Sequence, residues 1–317
     1  MSNEHQQPED NQNSHEQPSP IAKPKTALEQ RQEMLAHHVR LVTRKLSHAL
    51  FVFGPTPGIG KTMTVLRTLE EENITPVLLN SHLSPMAFFE TLYNFREGAT
   101  LFLDDVDSVL NSMTHLGLLR SALWGKPRTV TYTSSALPKH LPSRFEFTSS
   151  VIICVNVVPA KQNAAFAAVV SRCDQFEMFA SNEEIIDLMR SQSEKGFNGI
   201  SPESCREVID FIEGSVAEID KQISLRLLGP ALRKYRYARE VGVDWKAMVS
   251  TQLSNLGSKS QVVKRIDTKN RDLQAMRDAI ELHHDSPAEQ LATWCSETKK
   301  SRASFFRCLQ RYRSTQT

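Results

Sequence analysis

The chain has 317 residues, 40% hydrophobic and 23% charged, with a formal net charge of +2. That is enough for about two or three domains with a sizeable core, at a composition ordinary for a soluble globular protein. The cysteines (Cys154, Cys173, Cys205, Cys295 and Cys308) are odd in number and form no C-x-x-C pair, which argues against a disulfide framework or a zinc knuckle.

No apolar run approaches the length of a membrane span and the N-terminus is polar, so the expected compartment is the cytoplasm, with no membrane contact. Residues 1–26, rich in Gln, Asn, Ser, Glu and Pro, have little to bury and are expected to form a disordered tail. From Ala27 to Ala49, Leu28, Met34, Leu35, Val39, Val42 and Leu46 recur at three- and four-residue steps, a helical pattern.

Short apolar runs then alternate with helical ones. "ALFVF", "TPVLLN" (75–80), "ATLFLDD" (99–105) and "SVIICVNVVP" (150–159) read as strands. "KTMTVLRTLEEE", "PMAFFETLYNFRE" and "LGLLRSALWG" read as helices. "RTVTYTSS" (128–135) and "RFEF" (144–147) read as two strands about a proline-marked turn. This alternation predicts an α/β core over 27–180, a parallel sheet with helices on both faces. A helical lid is expected over 181–250 and a polar, basic linker over 251–270, with a small all-helical C-terminal domain over 271–317.

"FVFGPTPGIGKT" (51–62) lies between the first strand and the helix after it, the context of a phosphate-binding loop. Gly58, Ile59, Gly60, Lys61, Thr62 and Met63 form the candidate cofactor-binding set. The glycines let backbone N–H groups turn to a phosphate, Lys61 reaches the β/γ-phosphates, and Thr62 offers a hydroxyl to Mg²⁺. The pattern G-x-x-x-x-G-K-[ST] puts its first glycine at position 55, but Pro55 stands there and Gly54 comes one residue early. The competing reading is a Pro/Gly turn.

"LFLDDVD" ends a buried strand in two carboxylates at the sheet edge where α/β proteins bind ligands. Asp104 is placed to hold Mg²⁺ through water and Asp105 to orient or activate the attacking water. Solvated strand-end acids are the alternative. Asn156 closes the "SVIICVN" strand, either to position that water or as a turn residue. Arg172 sits in a polar gap after helical "FAAVV", where its guanidinium suits a γ-phosphate on a neighbouring subunit or a surface ion pair. Arg226 lies among Leu225, Leu227 and Leu228 in what reads as a buried helix, where it needs a partner such as a phosphate.

In this order the motifs resemble those of the AAA+ ATPases over about residues 27–250. "GPTPGIGKT" resembles Walker A and "LFLDDVD" Walker B; Asn156 matches sensor 1, Arg172 in "SRC" the arginine finger, and Arg226 in "SLRLL" sensor 2 on the lid. The "SRC" triplet is similar to that of clamp-loader relatives. The resemblance implies ATP and Mg²⁺ as cofactors and a homo-oligomer, ring or filament, with Arg172 completing a neighbour's site. Two departures stand out: the displaced first glycine, and Asp105 where most members have Glu, a base one methylene shorter. The strand pair at 128–147 resembles the AAA+ branch that carries a hairpin before sensor 1.

At the C-terminus, "DSPAEQLATWCSETKKSRASFFRCLQRYRS" reads as two helices about a turn, the first opening at Ser286-Pro287 and the second capped by Ser301. Lys299, Lys300, Arg302, Ser304, Arg307 and Arg311 are the candidate DNA contacts of a helix-turn-helix; a helical hairpin docking on the core is the alternative. The reading is an ATPase acting on DNA, of loader, initiator or transposition-regulator type, with a possible protein partner in replication or transposition. The alternatives are a protein-remodelling ATPase and a nucleotide-gated DNA-binding regulator with little turnover. "NSHLSPMAFF" lacks the aromatic-hydrophobic-glycine triplet that family unfoldases carry in a pore loop, which weighs against remodelling.

Overall fold

The structure, a computed structural model, describes residues 24–135, 137–156, 164–217, 221–256 and 261–314. Residues 1–23 of the expected tail lie outside the described residues. The last tail residue is a helix cap: the Thr26 hydroxyl accepts the Glu29 N–H at 3.2 Å, and the Glu29 carboxylate accepts the Thr26 N–H at 2.7 Å. This capping box satisfies two backbone donors at the start of α1 (Ala27–Thr43).

In chain order there follow β1 (Ala49–Phe53), α2 (Lys61–Glu71), β2 (Val77–Leu79), α3 (Pro85–Asn94), β3 (Thr100–Asp104) and α4 (Asp107–Leu110). Then come α5 (Met113–Leu123), β4 (Thr129–Thr131), β5 (Arg144–Glu146), β6 (Ser150–Val155), α6 (Ala164–Val170) and β7 (Asp174–Glu177). Five strands form one parallel sheet in the order β2-β3-β6-β1-β7, while β4 and β5 form a separate antiparallel pair. The α/β expectation and the hairpin before β6 are both met.

Period-two alternation divides the core. Leu50, Val52, Phe102, Ile152 and Cys154 pack with α1, α2 and the helices beyond β7, whereas Phe51, Leu101, Leu103, Val151, Ile153 and Val155 pack with α3, α5 and α6. With apolar residues needed on both faces, β6 is buried throughout, which is why it reads as the most apolar strand.

Beyond the sheet lie α7 (Asn182–Gln192), α8 (Pro202–Ala217), a 3₁₀ turn at Leu225–Leu227, α9 (Leu228–Val241) and α10 (Trp245–Ser254). Their apolar faces share the α1–α2 core, so this helical lid is tied to one face of the sheet. Then come α11 (Gln261–Leu282), α12 (Pro287–Thr298) and α13 (Arg302–Ser314), with a core of their own around Met276, Trp294 and Phe305. The expected linker over 251–270 is a correction: α10 runs to Ser254 and α11 starts at Gln261. Gln, Lys and Arg are strong helix formers, so polarity alone misreads that stretch. Among the described residues no helix is long and apolar enough to cross a membrane.

Candidate functional site

The loop between β1 and α2 turns through two left-handed glycines, Gly58 at φ +63° and Gly60 at φ +96°. Gly54 has a different task. A Cβ there would lie 1.8 Å from the Met178 carbonyl oxygen, so the chain leaving β7 approaches too closely for any side chain. The displaced glycine is thus explained by packing, and the left-handed turn into α2 is made by Gly58 and Gly60. The loop is braced from both sides. Gln32 of α1 donates through Nε2 to the Ile59 carbonyl at 3.0 Å, and the Leu225 N–H donates to the Gly58 carbonyl at 3.0 Å. Ile59 itself is fully buried and Met63 stands exposed at the rim.

Lys61 opens α2 from a buried position, with Nζ donating to the carbonyls of Thr56 at 2.9 Å and Gly54 at 3.3 Å. Burial depresses its ammonium to about 8, against the opposing pull of nearby acidic groups including Asp105 and Asp104. Thr62 donates its hydroxyl to Asp104 Oδ1 at 2.9 Å. Burial also pushes the Asp104 carboxyl up, the Thr62 bond opposing it. A hydroxyl and a carboxylate so placed suit Mg²⁺, which takes few protein oxygens and keeps its other positions for water and phosphate.

Asp105 adopts φ +51° and anchors its N–H on the Cys154 carbonyl at 3.0 Å. The pairing of Asp104 with Cys154 in the β3–β6 ladder brings Asn156 alongside. Asn156 donates Nδ2 to both carboxylate oxygens of Asp105, each at 2.8 Å. The strand-end asparagine and the second aspartate therefore form one unit, though 51 residues apart.

These groups line a cleft of about 540 Å³ that also takes in Gln32, Gln192 and Arg226. Arg226 is a correction: it lies exposed on the 3₁₀ turn, not in a buried helix. Burial creates no demand for a partner there; the hydrogen bond between Leu225 and Gly58 carries the turn to the cleft. An arginine from the helical lid thus faces the loop made by the sheet. Parallel sheet, glycine-turned loop and overlying helices stand in the order that the AAA+ resemblance of the sequence implies.

No family model matches the chain. A curated relative, an uncharacterized 36.7 kDa protein of the nrdC-mobD intergenic region of Enterobacteria phage T4, is 28% identical over 190 residues, 53% of this chain. The match spans 58% of that relative's length. Among solved structures, a single-residue mutant of Thermotoga maritima RuvB is 13% identical, with a TM-score of 0.47 over 88% of this chain and 84% of its own. Aeropyrum pernix ORC1, in complex with DNA, is 14% identical, with a TM-score of 0.46 over 93% and 85% respectively.

Arg172 is not in the cleft. It precedes β7, at the amino end of the sheet, whereas the glycine loop before α2 leaves the carboxyl end of β1. Its Nη1 donates to the Ala168 carbonyl and its guanidinium lies 5.3 Å from the Trp124 ring centre.

Away from the sheet, α12 and α13 are joined by a short turn at 299–301 in which Lys299 adopts φ +54°. Lys300 is not a free surface cation: Nζ donates to both carboxylate oxygens of Asp272, at 2.5 and 2.6 Å. Ser304 Oγ lies 3.2 Å from Ser301 Oγ, inside the first turn of α13. Lys299, Arg302, Arg307 and Arg311 are exposed, as is Phe306, whose ring is 5.7 Å from the Arg302 guanidinium. Gln32, Gln192 and Leu225 are among the site residues that sequence reading missed. Gln32 and Gln192 sit in ordinary helical contexts, and Leu225 acts through its backbone, so no local signal marks them.

Proposed function

We propose that this chain is a magnesium-dependent ATPase that hydrolyses ATP at contacts between its own copies and acts on DNA. The observation that carries the reading is the Asp105–Asn156 pair beside Lys61, Thr62 and Asp104, in a cleft that Arg226 overlooks. Lys61, together with the N–H groups at the start of α2, binds the β- and γ-phosphates. Thr62 and Asp104 hold Mg²⁺, which neutralises phosphate charge when bound. Asp105 takes the proton of the attacking water as its oxygen bonds to the γ-phosphorus and the bond to the β–γ bridging oxygen breaks, leaving ADP and phosphate. Asn156 orients that carboxylate, and Arg226 couples phosphate occupancy to the position of the lid. Arg172 completes the cleft of a neighbouring copy, so turnover depends on assembly into a ring or filament.

The exposed cations of α13 and of the turn before it supply the DNA contact, with α13 as the element entering the groove. A DNA-transacting role of loader, initiator or transposition-regulator type follows, with a protein partner in replication or transposition. ATP turnover by the purified chain and by Lys61→Ala tests the first part. Undiminished nucleotide binding and turnover in the variant would sink it.

A second reading has its own observation. Asn156 engages both oxygens of Asp105, and Asp is one methylene shorter than the family's Glu. That favours a nucleotide-gated DNA-binding regulator with little turnover. Tight, salt-sensitive DNA binding without DNA-stimulated hydrolysis supports this reading over the first.

A further inference from the structure

Trp124 terminates α5 and is 68% exposed, while the other tryptophans, Trp245 and Trp294, are 7% and 0% exposed. Its place is fixed by the base of the β4–β5 hairpin: Arg128 donates to the Ala122 carbonyl at 3.1 Å, and Gly125 pairs with Arg128 in an antiparallel bridge. A tryptophan so held in solvent forgoes most of the burial that stabilises this side chain elsewhere. What the indole does touch is Arg172, with 5.3 Å between the guanidinium carbon and the ring centre.

Arg172 is itself half-buried. Nη1 donates to the Ala168 carbonyl, and Nε is buried with no hydrogen-bond partner among the described residues. The guanidinium is therefore held by one backbone carbonyl and one aromatic face, and no ion pair with a carboxylate is formed within the described residues. A planar cation on an indole keeps its plane fixed, whereas an aliphatic neighbour would leave it free to turn.

We propose that Trp124 is a positioning residue for Arg172: the indole sets the guanidinium plane at a contact between two copies of this chain, where Arg172 meets the neighbour's nucleotide cleft. This rests on the trans role given to Arg172 above. The occupant is a second copy for two reasons. Arg172 lies at the sheet end opposite its own cleft, so under that trans role the cleft that receives it is another copy's. That cleft is the one assigned a phosphate, the charge complement of a guanidinium that forms no ion pair within the described residues. Trp and Arg are also the residue types that most often dominate the free energy of such contacts.

The full-length chain supplies its own probe, because Trp124 is the solvent-facing tryptophan. On assembly driven by magnesium and a non-hydrolysable ATP analogue, followed by sedimentation, acrylamide quenching of tryptophan fluorescence falls as Trp124 is covered. In turnover at protein concentrations that saturate assembly, Trp124→Ala lowers kcat about fivefold with KM unchanged, and Trp124→Phe restores most of the loss. Trp124→Ala also recovers turnover when mixed with Lys61→Ala subunits, which present an intact Trp124–Arg172 pair to its cleft. Full kcat in Trp124→Ala beside an inactive Arg172→Ala overturns the positioning role and leaves the trans arginine standing. Full kcat in Arg172→Ala overturns both. Should Trp124→Ala fail to fold, the wild-type quenching decides, and quenching unchanged on assembly overturns the proposal.

Discussion

Lys61 in the cleft is 6% exposed and rests on two backbone carbonyls, whereas Arg302, Arg307 and Arg311 on α13 stand in solvent. Both regions present cations and both are assigned a phosphate, yet they work under different physics. In the cleft, low dielectric and fixed hydrogen bonds make each group strong and hard to replace. On α13, solvent and salt screen each charge, so individual contacts are weak and act as a sum. Alanine substitutions should therefore act like switches in the first region and like small increments in the second.

The largest effect is expected from Arg172→Ala, with ATP turnover down about 10³-fold and ATP binding by the isolated chain intact. Turnover within about threefold of wild type would remove the trans arginine from the scheme. Lys61→Ala follows, with turnover down about 10²-fold and weaker ATP binding in an equilibrium titration. A smaller effect is read in stability. Folding takes the Lys61 pKa from 10.5 down to about 8, so between those values the unfolded chain holds more protons and stability rises with pH. Below about 8 the full desolvation cost is present. Lys61→Met should then raise the melting temperature of the nucleotide-free protein near neutral pH by the equivalent of about 1 to 2 kcal/mol, the loss of two carbonyl partners offsetting part of the gain. The advantage shrinks through that window and is gone above 10.5; an advantage that does not change with pH contradicts it.

On the C-terminal side, Lys300→Ala should destabilise α11–α13 by about 1 kcal/mol, because the mostly buried Asp272 carboxylate is left without its ion-pair partner, while the salt dependence of DNA binding stays the same. Arg307→Ala should weaken DNA binding only about threefold and lower the slope of log K against log salt by about one. A loss of about 10²-fold from Arg307→Ala alone, or a changed salt slope from Lys300→Ala, would erase the contrast between the two regions.

Much of the cleft was legible because strand-loop-helix punctuation, two strand-end acids and a strand-end amide are local patterns, and the parallel ladder places their ends together. What escaped were contacts made across the sequence. In the sequence Gly54 stands as a displaced loop glycine; in the fold it answers to Met178, which β7 brings alongside. Gln32 acts from α1 through a carbonyl, and Leu225 through its N–H, which no side-chain pattern reports. Three leucines around Arg226 imply a buried helix, but a 3₁₀ turn buries Leu227 and leaves the arginine outside. Lys300 looked like its basic neighbours, and only the packing of α11 against α13 revealed Asp272 as its partner. The linker reading failed because polarity is shared by linkers and by solvated helices such as α11.

The most direct test of an ATPase acting on DNA is turnover by the purified chain, measured with no DNA, with single-stranded DNA and with duplex DNA, each at low and high salt. Stimulation by DNA that fades as salt rises, and that is lost when Arg302, Arg307 and Arg311 are replaced together, is the expected result. Turnover indifferent to both DNA forms at low salt would contradict the account and leave α13 as a docking face for a protein partner.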